Sequence, residues 1–301
     1  MTNNRNVGYG RALVNRMGID KTAGKTFVVG KSALAYSSLY RQIFSNDEDG
    51  TVRYFGTIAT AIAACTANGN DQILVLPGHT ETVVGAAGIA ISTAGVTIIG
   101  LGNGSDRPTI TFTTSVAASF DITAANIKIK NLIFVCGIDA QTAMINVTGA
   151  DVTFDGCELR TNSGTIGAIL GILTAATATR FIFTNGRCVG PATNSGTTTT
   201  AQIQHEIGID YVISRSYFTG KMTQSILNAT TILGGLIDDN RFVIATGTKA
   251  IAVAAASTPF ISNNRINVPS GTAPIVAAAG FMAGNAYSAA AGVTAGTAST
   301  F

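Results

Sequence analysis

Carboxylate side chains are the first candidates for chemistry in this chain, because paired acids hydrolyse glycosidic bonds and clustered acids bind calcium. One adjacent pair, Asp238-Asp239, stands in the body of the sequence, immediately before the triplet Asn240-Arg-Phe242. The remaining candidates occur singly, on predicted strands or turns: Asp151, Asp155, Glu158 and Asp210. Since acid–base chemistry needs several acids at fixed separations, the sequence predicts solvated surface carboxylates, no catalytic residue and no metal site.

The two histidines and the single Gly-Lys-Thr segment supply no second catalytic motif. His79 follows a predicted Pro-Gly turn and His205 precedes Glu206, and neither accompanies a recognisable nucleophile motif. We interpret both histidines as structural or exposed residues. Gly24-Lys25-Thr26 lacks the glycine spacing and the preceding strand of a phosphate-binding loop. The sequence therefore predicts a protein that is not an enzyme and binds no cofactor.

Charge is sparse and unevenly placed. Only 12% of residues are charged. Residues 1–45 hold seven basic residues and one acid, a net +6, whereas residues 46–301 hold 12 basic and 15 acidic residues, a net −3. A slightly negative body argues against nucleic-acid binding. The basic leading segment predicts an arm that contacts an acidic partner, and the alternative is a solvated leader.

No segment has the composition of a membrane span or of a secretory signal. Apolar runs such as Ile275–Ala283 are too short to cross a bilayer, and Met1 is followed by polar residues. We therefore expect no membrane partner. The cysteines form no CxxC pair and have no histidine at zinc-ligand spacing, which predicts buried free thiols.

The elements that must position these residues are short, recurrent β-strands. Six apolar runs recur at intervals of 23 to 31 residues: Ile73–Val75, Val96–Ile98, Ile127–Ile129, Val152–Phe154, Phe181–Phe183 and Tyr211–Ile213. A second run follows each of the later ones after a bend at Asn131, Gly156, Asn185 or Arg215. Such a period indicates one coil of a stacked solenoid per repeat, because a single coil cannot bury its inward side chains.

The clearest repeat is a triplet that begins with asparagine. Asn240, Asn264 and Asn285 are separated by 24 and then 21 residues. Asparagine suits a left-handed bend, and stacked asparagine side chains can bond one another along an axis. We predict that these three residues form a ladder at one bend of the solenoid.

Thr57–Cys65 has a different period. Ile58, Ala61, Ile62 and Cys65 fall on one helical face, and Thr57 could cap the helix. A short helix here would cover the open end of the first coil. The prediction is an N-terminal arm over 1–56, a parallel β-helix over 57–287 and an Ala/Gly/Thr-rich tail over 288–301.

The chain resembles the right-handed parallel β-helix of pectate-lyase-like proteins, on the strength of the stacked runs and of Gln72–Gly78 after a capping helix. Phe44–Thr51, leading through Thr57–Cys65 into Gln72–Gly78, further resembles head-decoration β-helix proteins of tailed bacteriophages. That resemblance implies a virion cement protein on the head surface, assembled in the host cytoplasm. It also implies a homotrimer that binds the major capsid protein through its arm, with Arg5, Tyr9, Arg11 and Arg16 as expected contacts.

An alternative of the same fold stays open. A tail spike or fibre would bind or cleave host polysaccharide in a cleft lined with acids and aromatic rings. The body's aromatic residues are mostly phenylalanines at inward strand positions, with few tyrosines and no tryptophan, which leaves few platforms for sugars. A third interpretation, a secreted or cell-surface lyase, lacks both a signal sequence and an acidic cluster.

Overall fold

The computed structural model describes residues 24–31, 38–39, 53–192, 200–206, 208–244, 249–255, 257–267, 274–277 and 280–288. These residues form a right-handed parallel β-helix with an α-helix, α1 (Ile58–Ala64), and a 3₁₀ turn at Gly104–Asp106. Every strand pairing among them is parallel, as stacked coils require. Representative registers pair Val152 with Ile127, Arg241 with Tyr217 and Ile203 with Ile172, one in each of the three sheets.

Sheet 1 holds eleven strands: β1 (Thr26–Val29), β2 (Tyr54–Phe55), β3 (Gln72–Val75), β6 (Thr97–Gly100), β9 (Ile127–Lys130), β12 (Val152–Asp155), β15 (Phe181–Thr184), β19 (Tyr211–Ser214), β23 (Leu236–Asp238), β26 (Phe260–Ser262) and β29 (Phe281–Ala283). Sheet 2 holds nine: β4 (Thr80–Val83), β7 (Thr109–Phe112), β10 (Ile133–Cys136), β13 (Glu158–Thr161), β16 (Arg187–Val189), β20 (Tyr217–Gly220), β24 (Arg241–Ile244), β27 (Arg265–Asn267) and β30 (Ala286–Ser288).

Sheet 3 holds eight strands: β5 (Ile89–Ile91), β8 (Phe120–Ile122), β11 (Gln141–Val147), β14 (Ala168–Thr174), β17 (Ala201–His205), β21 (Gln224–Asn228), β25 (Lys249–Val253) and β28 (Ile275–Ala277). A short pair, β18 (Gly208–Ile209) and β22 (Ile232–Leu233), stands apart from the three sheets. Each coil therefore visits sheets 1, 2 and 3 in turn, and the rod has three sides.

The core is the interior of the rod. Alternate residues of each strand point inward and form columns of buried aliphatic and aromatic side chains. Ring centres of Phe134 and Phe154 lie 6.2 Å apart, those of Phe183 and Phe218 6.3 Å, and those of Phe218 and Phe242 4.9 Å. This continuous apolar column holds the coils in one register, so the opposite, outward columns are fixed as well.

The bend between sheets 1 and 2 is one left-handed residue in each coil. Its non-glycine positions are Asn131, Asn185, Arg215, Asp239 and Asn263, all with φ between 48° and 56°. Gly156 and Gly284 occupy the same bend with φ of 66° and 64°. The predicted strand–bend–strand repeat is confirmed as part of the fold.

The residue after this bend points into the rod, and in the later coils it is asparagine. Asn264 Oδ1 accepts from Asn240 N at 3.0 Å and from Asn240 Nδ2 at 3.1 Å. Asn264 Nδ2 donates to Ile237 O at 2.9 Å and to Asn285 Oδ1 at 3.0 Å. We call Asn240, Asn264 and Asn285 the asparagine ladder.

Helix α1 covers the first coils. Its residues Ile58, Ala61 and Ile62 are buried, and it packs against β1, β2, β3 and β5. Thr57 Oγ1 accepts from Thr60 N at 3.3 Å, and the buried carboxylate of Glu81 accepts from Ile58 N at 3.0 Å. Two acceptors therefore satisfy N–H groups that the first helical turn leaves free.

Two features differ from the sequence prediction. Strands β1 and β2 belong to sheet 1, although the sequence prediction assigned both to the arm. Three apolar side chains of β1, those of Phe27, Val28 and Val29, are buried there. Sheet 3 was not recognised as a third strand in each coil. The division of the chain at residues 56 and 287 stays a prediction.

Candidate functional site: a groove on the outer face of sheet 1

A concave surface lies along the outer face of sheet 1. It has a volume of about 800 Å³. It runs across β3, β6, β9, β12, β15 and β19, which is about 24 Å of the rod at 4.8 Å per strand. We call it the sheet 1 groove; its lining residues are Asn68, Asn70, Gln72, Gly95, Thr97, Ile99, Asn126, Lys128, Lys130, Asp151, Thr153, Arg180, Phe181, Ile182, Asp210, Tyr211 and Val212.

The floor of the groove is an outward column of sheet 1. Thr97 pairs with Lys128, Lys128 with Thr153, Thr153 with Ile182, and Ile182 with Val212. Hydroxyl, ammonium and aliphatic groups therefore follow one another at about 4.8 Å. A floor of this kind offers hydrogen bonds and apolar contact to an extended ligand lying along the rod.

One wall of the groove is the left-handed turn that precedes each sheet 1 strand. Asn126, Asp151, Arg180 and Asp210 stand at this turn in four successive coils, with φ between 55° and 64°. The left-handed backbone turns each side chain outward at the same height in its coil. Two acids and one arginine thereby form a column, although the sequence places them 29 or 30 residues apart.

Asp151 and Arg180 form a bidentate ion pair, with both nitrogen–oxygen distances 2.5 Å. Hydrogen bonding by this guanidinium lowers the pKa of Asp151 below its ordinary value. Asp151 is therefore a carboxylate at neutral pH. Asp210 lies on the other side of Arg180, one coil further on, with its side chain exposed.

Asp151 and Asp210 are two coils apart, roughly 9–10 Å along the rod. Inverting glycosidases hold their two carboxyl groups at roughly 6.5–9.5 Å, with room for a water molecule between them. The coil spacing of the two acids is therefore close to the upper end of that carboxyl separation. Arg180 stands between them and can bind an anionic group.

Lysine side chains make the other end of the groove basic. Lys128 is exposed on the floor, and Lys130 lies 4.0 Å from Asp155 Oδ2 in a loose, half-exposed ion pair. Asp155 also accepts from Asn185 Nδ2 at 2.8 Å. Lys128 has no acid in its own column, where its neighbours are Thr97 and Thr153. It is free to contact a ligand.

The floor column becomes apolar beyond the groove. Val212 pairs with Leu236, Leu236 with Phe260, and Phe260 with Phe281. The rings of Phe260 and Phe281 are stacked, with centres 4.9 Å apart, and are 52% and 45% exposed. Phe260 and Phe281 are exceptions to the prediction that the aromatic residues of the body lie mostly inward, because alternation in β26 and β29 places Ile261 and Met282 inward instead.

The residues singled out from the sequence are dispersed. Arg5, Tyr9, Arg11 and Arg16 lie outside the described residues. The asparagine ladder lies inside the rod, and Asp238 accepts from Ser262 Oγ and Asn263 Nδ2 away from the groove. His79 and His205 are both buried. Lys128 and Arg180 were missed, since only the coil register shows that they share a surface.

Asp151 and Glu158 are not the isolated, solvated groups that the sequence suggested, whereas Asp210 is exposed. Asp151 is bonded to Arg180, and Glu158 is buried among three arginines on sheet 2. Coil stacking brings residues about 30 positions apart into contact, which periodicity alone does not pair. Among the described residues there is no cluster of three or more His, Cys, Asp or Glu side chains arranged to hold a metal ion, and none of their helices has the length and apolar character needed to cross a membrane.

Comparison with known proteins gives two solved structures. No protein-family model matches the chain, and no curated protein sequence matches it. The structure of Escherichia coli YbhC matches with a TM-score of 0.55 and 15% identity, covering 89% of this chain and 86% of that one. Endo-xylogalacturonan hydrolase from Aspergillus tubingensis matches with a TM-score of 0.41 and 10% identity, covering 89% and 94%. At these identities the similarity shows the β-helix fold alone.

The prediction that the chain is not an enzyme is wrong, because the ground on which it excluded catalysis does not hold. It relied on the absence of acids at matching positions in neighbouring coils. The structure aligns Asp151 and Asp210 in one wall of a groove, which is the arrangement that the exclusion assumed to be absent. Neither match supports the phage resemblance, so head decoration stays a prediction.

Proposed function

We propose that this chain binds a polysaccharide along the sheet 1 groove. The observation that carries the proposal is the groove itself, which is straight, about 24 Å long and lined by hydroxyl, amide, charged and aliphatic groups in register. A polymer with a regular repeat fits a surface with a regular repeat. A small metabolite would use only a fraction of this length.

The chemistry of the lining suits sugars. Thr97, Thr153 and Asn126 supply neutral donors and acceptors for hydroxyl groups, and Ile182 and Val212 supply apolar contact for the C–H face of a ring. Lys128 and Arg180 would bind carboxylate or sulfate substituents. The exposed Phe260 and Phe281 extend the same column and add an aromatic platform for a longer chain.

The two wall acids are the groups that would act on a glycosidic bond. Asp151, bound to Arg180, and Asp210, on the opposite side of Arg180, are the candidate pair, of which one would activate water and the other would protonate the leaving group. Binding does not depend on this chemistry. A protein that binds without cleaving would use the same groove as an adhesin.

Groove blockage tests the binding proposal. A panel of bacterial capsular, O-antigen and plant cell-wall polysaccharides would be screened by affinity electrophoresis against the unmodified chain and Thr153→Trp. Thr111→Trp is the matched control, since Thr111 is a half-buried, outward threonine on sheet 2. We expect Thr153→Trp to lose at least tenfold in affinity and Thr111→Trp to keep it. Equal retention by both variants would exclude the groove.

A reducing-end assay on the bound polysaccharide tests cleavage separately. Asp210→Asn and Asp151→Asn would abolish product formation if these acids perform the reaction, while binding remains. Asp106→Asn, at an exposed turn away from sheet 1, is the control. Product formation by both wall variants would remove the assigned chemistry and leave the binding proposal intact.

A second candidate is the virion decoration protein implied by the phage resemblance, with the major capsid protein as partner and a homotrimer as the assembled form. The concentration of +6 net charge in residues 1–45 favours it, because a basic arm would pair with capsid carboxylates. Several weak arm contacts in a trimer would add through effective concentration.

Deletion of residues 1–20 separates the two candidates. Loss of particle binding with unchanged polysaccharide binding would support an anchoring arm. Immunogold labelling of particles gives the position, with gold on the head for decoration and gold on the tail tip for a spike. Undiminished particle occupancy after the deletion would remove the arm as an anchor.

A further inference from the structure

Sheet 2 carries a second charged surface, separate from the sheet 1 groove. Its first outward column continues in register from Glu158 through Arg187, Tyr217 and Arg241 to Arg265. Arg187, Arg241 and Arg265 are exposed. We call these five residues the arginine–tyrosine column, and it spans about 19 Å of the rod at 4.8 Å per strand.

The N-terminal end of the column holds its one acid, Glu158, among three arginines. Glu158 is buried and lies 3.3 Å from Arg107, 3.2 Å from Arg187 and 3.9 Å from Arg160, measured between carboxylate oxygen and guanidinium nitrogen. Arg107 is fixed in turn by the carbonyls of Leu132 and Gly156, at 3.1 and 2.6 Å. One acid thus faces three arginines, and the local excess is positive.

The middle of the column is a tyrosine between two guanidinium groups. The Cζ atoms of Arg187 and Arg241 lie 6.0 and 5.7 Å from the centre of the Tyr217 ring. The two arginines come from the coils before and after Tyr217, so they approach it from opposite sides. Attraction to the ring restrains both side chains and presents their N–H groups in a fixed line.

The C-terminal end of the column stacks like charges. Arg241 and Arg265 are directly paired neighbours in adjacent strands, and the next residue in the column is Ala286. Like charges directly opposite each other in a sheet are destabilising. The nearest acid along the chain, Asp239, belongs to the bend and not to this column. A bound anion between the two guanidinium groups would remove the repulsion.

We propose that the arginine–tyrosine column binds a linear acidic polysaccharide whose carboxylate or sulfate groups bridge successive arginines. The planar guanidinium fork pairs with both kinds of group through two parallel hydrogen bonds. Arg187 and Arg265 are three strands apart, about 14 Å, so a chain of three or four sugar residues would reach all the exposed arginines. The rod would then have two polymer-binding faces, one on sheet 1 and one on sheet 2.

The same observations disfavour single-stranded nucleic acid as the ligand. Its binding surfaces combine positive charge with free aromatic faces on which bases stack. Here the Tyr217 ring has a guanidinium group on both sides, so neither face is free for a base. A polyanion that binds through its acidic substituents does not need that face.

Charge-matched variants test the proposal. Isothermal titration of the full chain would use polygalacturonate and heparin oligosaccharides, with dextran as the neutral polymer and a single-stranded oligonucleotide of equal charge. The variant Arg241→Gln/Arg265→Gln removes two charges from sheet 2, and the control Lys25→Gln/Lys31→Gln removes two exposed charges that flank β1, outside both polymer-binding surfaces. All four side chains are exposed, and thermal unfolding of each variant checks that it remains folded.

We expect the sheet 2 variant to lose at least tenfold in affinity for one or both acidic oligosaccharides. Its affinity for the neutral polymer dextran should equal that of the unmodified chain. The Lys25→Gln/Lys31→Gln control should change the affinity for the acidic oligosaccharides by less than threefold. An unchanged affinity in the sheet 2 variant, an equal loss in both variants, or tighter binding of the oligonucleotide would overturn the proposal. The Thr153→Trp variant reports on the groove independently, so the two proposals can fail separately.

Discussion

The two halves of the rod differ in the outer face of sheet 1 and in the inner residue that follows the bend between sheets 1 and 2. In the first half, from β3 to β16, the outer face of sheet 1 is polar and the inner residue after the bend is apolar or small, as in Leu132, Cys157 and Gly186. In the second half, from β19 to β30, the outer face bears Leu236, Phe260 and Phe281. In this half the inner residue after the bend is polar, as in Ser216, Asn240 and Asn264.

That inversion shows how one coil geometry supports different surfaces. An inward asparagine is tolerated because neighbouring coils supply its partners, whereas an inward leucine needs none. The interior can therefore change chemistry along the rod without altering the spacing of the outward columns. Binding surfaces on the outside are free to vary as long as the inner columns stay satisfied.

The largest expected effect is on the interior of the second half. Asn264→Ala removes four hydrogen bonds from the asparagine ladder and leaves the N–H groups of Asn240 without their acceptor. We expect the free energy of unfolding to fall by about 3–5 kcal/mol. Chemical denaturation measures it.

Asn146→Ala is the matched control, since Asn146 is a half-buried strand asparagine with one side-chain bond, to Asp121. Its cost should stay below about 1 kcal/mol. Similar losses for the two variants would mean that the ladder contributes no more than an ordinary surface bond.

A somewhat smaller loss is expected in the first half, on sheet 2. Glu158→Gln removes the buried carboxylate and leaves the largely buried Arg107 without its counter-charge. The free energy of unfolding should fall by about 2–4 kcal/mol. Asp155→Asn, which breaks only the half-exposed pair with Lys130, should cost about 0–1 kcal/mol. A cost for Asp155→Asn as large as that for Glu158→Gln would mean that burial of the Glu158 carboxylate does not set the loss.

The junction of the halves gives a pH-dependent effect. His205 is buried against the Tyr211 ring, 4.3 Å away, and burial lowers the pKa of its imidazole from 6.5 to about 3. Between those values the unfolded chain binds a proton that the native chain does not, so stability falls as pH decreases. The slope from this one group is at most about 1.4 kcal/mol per pH unit.

Urea unfolding between pH 6.5 and 5 measures that slope before most carboxylates titrate. His205→Phe keeps an aromatic ring beside Phe181 and Tyr211 but cannot accept a proton. The slope should be shallower in this variant than in the parent. Identical slopes would show that the imidazole titrates normally in the native state.

The smallest expected effect is on the outer face of the second half. Phe260→Ala removes the exposed ring stack with Phe281 and should lower the free energy of unfolding by about 0.5–1.5 kcal/mol. Affinity for a long polysaccharide should fall while affinity for a short one is kept. Loss of affinity for both lengths would mean that the two rings are not a separate extension of the groove.

The fold could be read from the sequence because the inward columns repeat in it. The runs at Ile127–Ile129 and Phe181–Phe183 fall in β9 and β15, and Ile58, Ala61 and Ile62 form the buried face of α1. Sheet 3 was missed, since strands such as Gln141–Val147 alternate poorly and follow loops of varying length.

The groove could not be read in the same way. Its members repeat by position and not by residue type: Asn126, Asp151, Arg180 and Asp210 share a turn but no chemistry. A residue's coil neighbour lies 21 to 31 positions away, and that interval varies with the loops. Only the hydrogen-bond register decides which charges meet, and this is why Asp151 looked isolated and Arg180 went unnoticed.

A crystal structure of the full chain with an oligosaccharide of a polysaccharide that it binds tests the central claim most directly. The account predicts sugar rings along the floor of the sheet 1 groove, over Thr97, Lys128, Thr153 and Ile182, with their long direction parallel to the rod. A bound oligosaccharide that leaves this groove empty and occupies sheet 3 or an end of the rod would contradict it.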